Sequence, residues 1–386
     1  MSDPKSTSLK QPKLYPLTSL RFFAALCVVI LHASNHGLLP QELVQMLDLS
    51  KAVTFFFVLS GFVLGYVNNG RLIDALRFYQ ARFARVWPAT ALSIIFVLLV
   101  LPQFIYLPSP SSSWSSGFVL LLNLLCLQSL FPIPNVYFGF NAVVWSVSVE
   151  VFFYFCFPFI HTLKTSRLLW ITFVYSVFVF LFAYFLSSLD FAGFSENNLN
   201  IPVWEGFIYI NPLTRIPEFL MGILLARLFL SSQFAFINDT YLQLRSKYSY
   251  FFDVLEFLLV VLCVWFGFRP YSFSLQVPAQ VALGQIFSGL SFCVLILTMA
   301  NSSGLLCQFF KWKPFVLLGE VSFGIYLFHQ PVMIRSAQLK GLTLGGVQLF
   351  PSHFIPVLAW TLVISFVSFF FFERPMQNLL RPKAAP

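Results

Sequence analysis

The sequence predicts an all-α fold: a polytopic bundle of about ten transmembrane helices, with one short re-entrant or interfacial segment and both termini in the cytoplasm. Three observations lead there. Of 386 residues, 58% are hydrophobic and only 10% charged, against roughly 25% charged in a soluble domain. Apolar runs of about twenty residues recur from Leu17 to Phe372, each near the length that crosses a ~30 Å hydrocarbon core. The 23 Lys and Arg, set against 14 Asp and Glu for a net charge of +9, gather in short segments beside those runs. A water-soluble globule is excluded, and the basic excess reads as positive-inside orientation rather than nucleic-acid binding.

The expected crossings cover residues 17–35, 52–67, 86–106, 142–160, 168–186, 213–230, 254–268, 281–299, 315–334 and 354–372. Lys5, Lys10 and Lys13 before the first run resemble a signal-peptide start. Arg21 and His32 interrupt that run and no small-residue cleavage site follows, so an uncleaved first helix is expected. A further apolar stretch, 118–130, is only 13 residues long, between the Ser/Pro-rich 107–116 and Pro132 with Pro134. The basic residues decide its role. They cluster in the N-terminal tail, in 71–85, at Lys164 and Arg167, at Arg245 and Lys247, at Lys311 and Lys313, and after Arg374. If all six clusters are cytoplasmic, a single crossing separates the uncharged loop at 107 from Lys164, and 142–160 supplies it. The 118–130 stretch then enters without crossing.

One domain is expected over residues 1–386, with short tails at 1–16 and 374–386. No internal repeat is visible, which disfavours the inverted-repeat plan of many secondary transporters. Cys27, Cys126, Cys156, Cys263, Cys293 and Cys307 lack CxxC or metal-ligand spacing. They are read as packing residues, without disulfides or zinc.

Ionisable residues inside spans are costly and mark function by default. Arg21 and His32 are eleven apart, three turns plus 20°, so one helix face carries both, about 16 Å apart along the axis. The second span contains Phe56-Phe57-Val58-Leu59-Ser60-Gly61-Phe62 with Gly65, a GxxxG spacing that admits a neighbouring backbone. Ser60 either donates a hydrogen bond at a site or bonds back to its own helix. Arg82 and Arg85 share a face just ahead of the third span and could meet Arg21. Guanidinium groups so placed suit phosphate; plain anchoring with Trp87 at the interface is the other reading.

In the fourth crossing, Glu150 of Trp145-Ser146-Val147-Ser148-Val149-Glu150 sits about 12 Å deep, where a carboxylate needs a partner. Ser322 and His329 share a face of the ninth span, ahead of Pro331. His329 and His32 both lie about 21 Å along their helices from the cytoplasmic end. Glu150, His32 and His329 are therefore expected at one level, as a common polar pocket or a structural polar cluster. Arg215 and Glu218 open the sixth crossing and could pair. Glu373 with Arg374 is read as an ion-pair anchor, and His36, His161 and His353 as solvated residues near span ends.

Taken together, Arg21-x10-His32, Phe57 to Phe62, Phe78 to Pro88 with Arg82 and Arg85, Trp145-Ser146 with Glu150, Arg215 with Gly222, Ser322 to His329-Gln330-Pro331 and Glu373-Arg374-Pro375 resemble the bacterial acyltransferase family 3. Those are integral membrane enzymes that acylate cell-surface glycans and some small molecules. The resemblance covers nearly the whole chain and rests on shared order and spacing.

It implies a ten-helix acyltransferase of the bacterial inner membrane, with no tightly bound cofactor and with acyl-CoA, acetyl-CoA being the commonest, as co-substrate. The acceptor implied is a glycan or lipid-linked saccharide such as lipopolysaccharide O-antigen or an exopolysaccharide. His32 becomes the essential histidine, with Glu150 beside it. Arg21, Arg82 and Arg85 become donor-binding residues, helped by Ser60 and His329. Trp145, Ser322, Arg215 and Glu373 stand as structural or acceptor-side candidates. Many relatives carry an extracytoplasmic esterase-like domain after the bundle; none is expected here, so transfer would be completed alone or with a separate extracytoplasmic partner. Two alternatives stay open. One is acylation of a small molecule such as an antibiotic, and the other is a proton-coupled transporter of an organic anion that uses the buried His and Glu as a relay.

Overall fold

A computed structural model describes residues 11–101, 114–272, 274–301, 303–339, 343–344, 347–348 and 353–382. Lys5, Lys10 and the 107–113 part of the Ser/Pro-rich loop lie outside the described residues. Across the described residues the chain is mostly helical. Its helices are α1 (Tyr15–Asn35), α2 (Ala52–Asn68), α3 (Ala75–Val100), α4 (Ser116–Leu124), α5 (Val144–His161), α6 (Thr165–Ser188), α7 (Pro212–Phe229), α8 (Ser232–Lys247), α9 (Ser249–Phe268), α10 (Val277–Asn301), α11 (Lys313–Gln338), α12 (Phe354–Ser368) and α13 (Arg374–Leu380), with a few single turns between them. A two-residue antiparallel pair, Thr343–Leu344 with Val347–Gln348, is the strand content among the described residues.

Nine helices are long and apolar enough to cross a membrane among the described residues, and ten if the segment 206–247, bent by 66° at 230–231, counts as one crossing. That matches the ten spans expected. The helices start and stop where the sequence caps them. The Asp74 side chain accepts from the Arg77 N–H at 3.2 Å to open α3, and Asn211 accepts from the Leu213 N–H at 3.0 Å to open α7. Pro16, Pro212 and Pro314 each occupy the first turn of a helix, where no N–H is needed.

Helix α4 has nine residues, about 13.5 Å of length, less than half a bilayer core. Helix direction gives an independent check on the crossing count. Gly319 of α11 touches Thr18 of α1, and His329 touches His32 further along, so α1 and α11 run parallel. Gly61 of α2 meets Phe219 of α7 and Gly65 meets Ala226, so these two are parallel as well. Parallel first and ninth crossings, and parallel second and sixth, require that α4 not cross.

Helix α2 is the most enclosed crossing, while α9 and α12 turn most of their side chains outward. Phe251, Phe257, Leu258, Leu262, Trp265 and Phe266 of α9 form a continuous apolar exterior, as a lipid-facing helix requires. Helices α2 and α7 pack backbone to backbone. A Cβ on Gly61 would lie 2.0 Å from the Phe219 carbonyl oxygen, and one on Gly222 would lie 2.0 Å from that of Val58. The GxxxG spacing of Gly61 and Gly65 therefore serves the close packing it predicts.

Three local expectations change. Helix α3 begins at Ala75, so Arg82 and Arg85 belong to the same helix as the third crossing rather than to a segment before it. The last helix does not end at 372: a π turn at Phe369–Glu373 leads into α13, and Gln80 Nε2 donates to the Leu380 carbonyl at 3.2 Å. The first residues of the expected C-terminal tail are thereby docked on α3. Arg245, counted among the basic flanks, is held by Asp253 and by Glu256 at 2.6 Å, both on α9.

Candidate active site

The guanidinium groups of Arg21 on α1 and of Arg82 and Arg85 on α3 line one cavity of about 660 Å³, within the range of small-molecule sites. Its wall on α2 runs from Val67 to Val53, fourteen residues, or about 21 Å. It is long, with its arginines toward the end of α1 that opens the bundle. Arg82 stacks over the rings of Phe78 and Tyr154 at 5.7 and 5.8 Å. Its buried Nε has no hydrogen-bond partner among the described residues, leaving a donor unused at the cavity wall.

Glu150 also lines the cavity. It accepts from Ser60 Oγ at 3.1 Å and from the Tyr154 hydroxyl, both at Oε1, and lies within electrostatic range of Arg21 and Arg82. Ser60 is thus a donor to a carboxylate rather than a residue bonded back to its own helix. The expected partnership of Glu150 with His32 does not form. Depth counted along each helix sets a level but not a direction, and α5 turns Glu150 toward α2.

The histidines do meet. His32 Nδ1 and His329 Nε2 are 2.7 Å apart, and their ring planes differ by only 7° with centroids 5.0 Å apart. Two nitrogens this close in rings so far separated make an edge-to-edge, in-plane hydrogen bond rather than a face-to-face stack. His329 is fully buried, and its Nδ1 lies 3.2 Å from the Ile325 carbonyl oxygen. Pro331 has no N–H for the carbonyl of Leu327 one turn back. The Asn141 amide donates to that carbonyl at 3.0 Å instead, and to Ser93 Oγ at 3.1 Å, which pins α11 beside the histidine.

Neither histidine lines the cavity. Tyr326 stands between: it lines the cavity and its ring centroid is 5.9 Å from that of His329. The Tyr326 hydroxyl is 2.7 Å from Ser146 Oγ and donates to the Val143 carbonyl at 3.2 Å. The site therefore has two parts, an arginine-lined cavity and a histidine pair, joined through one tyrosine.

The remaining candidates divide between the cavity wall and its supports. Ser322 lines the cavity and donates to the Gly319 carbonyl at 2.8 Å. Trp145 is buried against Tyr209 and Phe57. Arg215 and Glu218 form the expected pair at 2.8 Å, fully buried, with Arg215 also donating to Thr54 Oγ1 at 3.0 Å and lying over Phe57 and Tyr209. Glu373 is no ion-pair anchor: it accepts from Ser368 Oγ at 2.8 Å and faces the cavity.

Arg374, expected as an ion-pair anchor with Glu373, and Arg381, within the expected tail, line the cavity too. Their seven-residue spacing, two turns on one face, was the available signal. Tyr154, four residues after Glu150, and Tyr326, four after Ser322 and three before His329, also share a helix face with a candidate residue, a spacing the sequence displays. No group of three or more His, Cys, Asp or Glu suited to a metal occurs among the described residues.

Comparison with known proteins agrees with this architecture. The chain is 28% identical over 360 residues to the acyltransferase MdmB of Streptomyces mycarofaciens, covering 86% of this chain and 82% of that one. It is 23% identical over 391 residues to the O-acetyltransferase OatA of Staphylococcus aureus, covering 95% of this chain but 58% of that one. The chain thus spans somewhat over half the length of OatA. No solved structure matches it. The profile of acyltransferase family 3, described as an acyltransferase domain, matches residues 15–370, and the chain therefore belongs to that family of multi-pass membrane proteins.

Proposed function

We propose that this protein is an inner-membrane O-acyltransferase that moves an acyl group, acetyl in the first instance, from cytoplasmic acyl-CoA to a hydroxyl of a cell-surface or exported glycan. The whole chain acts as one domain, with both termini in the cytoplasm. The observation that carries the reading is the long cavity with Arg21, Arg82 and Arg85 on its wall, ending at Tyr326 beside the His32–His329 pair. A cationic mouth suits the phosphates of CoA, and the length of the cavity suits its pantetheine chain. Arg374 and Arg381 add positive charge to the same mouth. Glu150 holds the Ser60 and Tyr154 hydroxyls in place on the wall.

For His32 to act, the thioester must pass from the cavity beyond Tyr326 to the histidine pair; two routes are then open. As a general base, its Nε2 takes the proton of the acceptor hydroxyl while that oxygen attacks the thioester carbonyl. Collapse then expels the CoA thiolate, which takes the proton back from the imidazolium. In the covalent route, Nε2 attacks first, expelling the CoA thiolate and leaving an N-acylimidazolium; the acceptor hydroxyl then attacks the acyl carbon, the acyl C–N bond breaks to return neutral imidazole, and the hydroxyl proton ends on the thiolate. Either way the acyl group crosses and CoA stays inside.

The name O-acetyltransferase borne by OatA supports acetyl and an oxygen acceptor. The test of the acceptor is mass spectrometry of surface polysaccharide from a strain lacking this protein. Loss of one acyl mass increment from a glycan is expected. An unaltered polysaccharide, with acylation lost from a secreted small molecule, would move the acceptor to that class.

A further inference from the structure

We propose that His329 is a positioning residue that sets the tautomer of His32 and keeps its Nε2 free for chemistry. This rests on the reading of His32 as the acyl-transfer residue.

The argument follows hydrogen-bond polarity along one chain of atoms. A backbone carbonyl can only accept, so His329 Nδ1, 3.2 Å from the Ile325 oxygen, carries the proton of that bond. In a neutral imidazole the other nitrogen is then a lone pair. His329 Nε2 therefore accepts, and His32 Nδ1, 2.7 Å away, must donate. That leaves His32 Nε2 with its lone pair outward, the form that both a general base and a nucleophile require. Reversing the chain would set the His329 Nδ1 lone pair against the carbonyl lone pairs and turn the proton of His32 onto Nε2.

The same chain serves the whole reaction. When Nε2 takes up a proton, His32 Nδ1 still donates to His329, so no ring has to turn. The nearly coplanar rings keep the N–H and lone pair in line. A carboxylate orients the catalytic imidazole in the serine-protease triad. Here the carboxylate expected in that role, Glu150, is engaged by Ser60 and Tyr154, and a neutral histidine stands in its place. The support is rigid: Asn141 fills the carbonyl that Pro331 leaves open, and Gly319 lets α1 and α11 touch.

The test compares His329→Gln, His329→Leu and His32→Ala in membranes bearing the native acceptor. Acetyl-CoA is the probe, thiol release is the readout, and thermal unfolding of each purified variant is measured in parallel. Gln offers a carbonyl oxygen to His32 Nδ1 and an amide to Ile325; Leu offers neither. His329→Leu is expected to lower kcat about 100-fold or more with KM for acetyl-CoA unchanged, in the range where general-base catalysis operates. His329→Gln should recover at least tenfold of that loss.

A His329→Leu loss that appears in KM would make His329 a donor-binding residue and overturn the inference. Equal losses in Gln and Leu that track unfolding temperature would make it structural and do the same. If His32→Ala is inactive and His329→Leu is normal, the inference alone falls. If His32→Ala stays active, the proposed function of His32 falls first.

Discussion

Gly319 of α11 lies backbone to backbone against Thr18 of α1: a Cβ at Gly319 would sit 1.9 Å from the Thr18 carbonyl oxygen. Ten residues further along α11, His329 meets His32. The glycine sets the separation of the two helices, and the histidine contact inherits it. Gly319→Val must push α1 away, with an overpacking cost of about 1–3 kcal/mol. Purified Gly319→Val should unfold at lower temperature and lose acyl transfer; wild-type activity would show that the histidine pair does not depend on this contact.

Arg82 and Arg85 are expected to act on donor affinity. A charge-assisted hydrogen bond is worth about 1.5–3 kcal/mol, so Arg85→Ala should raise KM for acetyl-CoA roughly 10- to 100-fold with kcat largely kept. Arg82→Lys should be almost as damaging as Arg82→Ala, because a lysine cannot reproduce the planar stacking over Phe78 and Tyr154. Steady-state kinetics with acetyl-CoA check both.

Arg381 extends the prediction into α13. If it reaches the donor, Arg381→Ala raises KM for acetyl-CoA about tenfold, or 1.4 kcal/mol. An unchanged KM, with weaker membrane insertion, would return it to anchoring.

The Arg215–Glu218 pair is fully buried. Glu218→Leu strands a guanidinium and should cost about 3–5 kcal/mol. Replacing both, Arg215→Met with Glu218→Leu, should recover most of that stability in thermal unfolding. Failure of the double variant to recover would mean that the Arg215 contacts to Thr54, Phe57 and Tyr209 matter more than the charge pair.

Much of this was legible in the sequence because the bilayer imposes simple rules. Span length and the GxxxG of Gly61 and Gly65 follow from hydrocarbon thickness and backbone contact, and both reappear in the structure. Convergence of Arg21, Arg82 and Arg85 was readable from helical periodicity. The partner of Glu150 was not, since residues per turn give a face but not the neighbour it meets. Glu150 shares a level with the histidines only if every helix stands upright and turns the same way. Tyr326 shares a face with Ser322 and His329 and was readable on that ground, whereas Arg381 offered only its seven-residue spacing from Arg374 until a cavity was seen to run past both.

The central claim is that His32 transfers the acyl group while the arginines hold its donor. The most direct measurement follows radiolabelled acetyl-CoA with wild-type and His32→Ala protein in inverted membrane vesicles, scoring donor binding, thiol release and label in the acceptor together. The account predicts equal binding of acetyl-CoA, with thiol release and labelled acceptor in equal amounts for wild type and neither for His32→Ala. Label transferred normally by His32→Ala, or organic anion flux driven by a proton gradient without any thiol release from wild type, would contradict it.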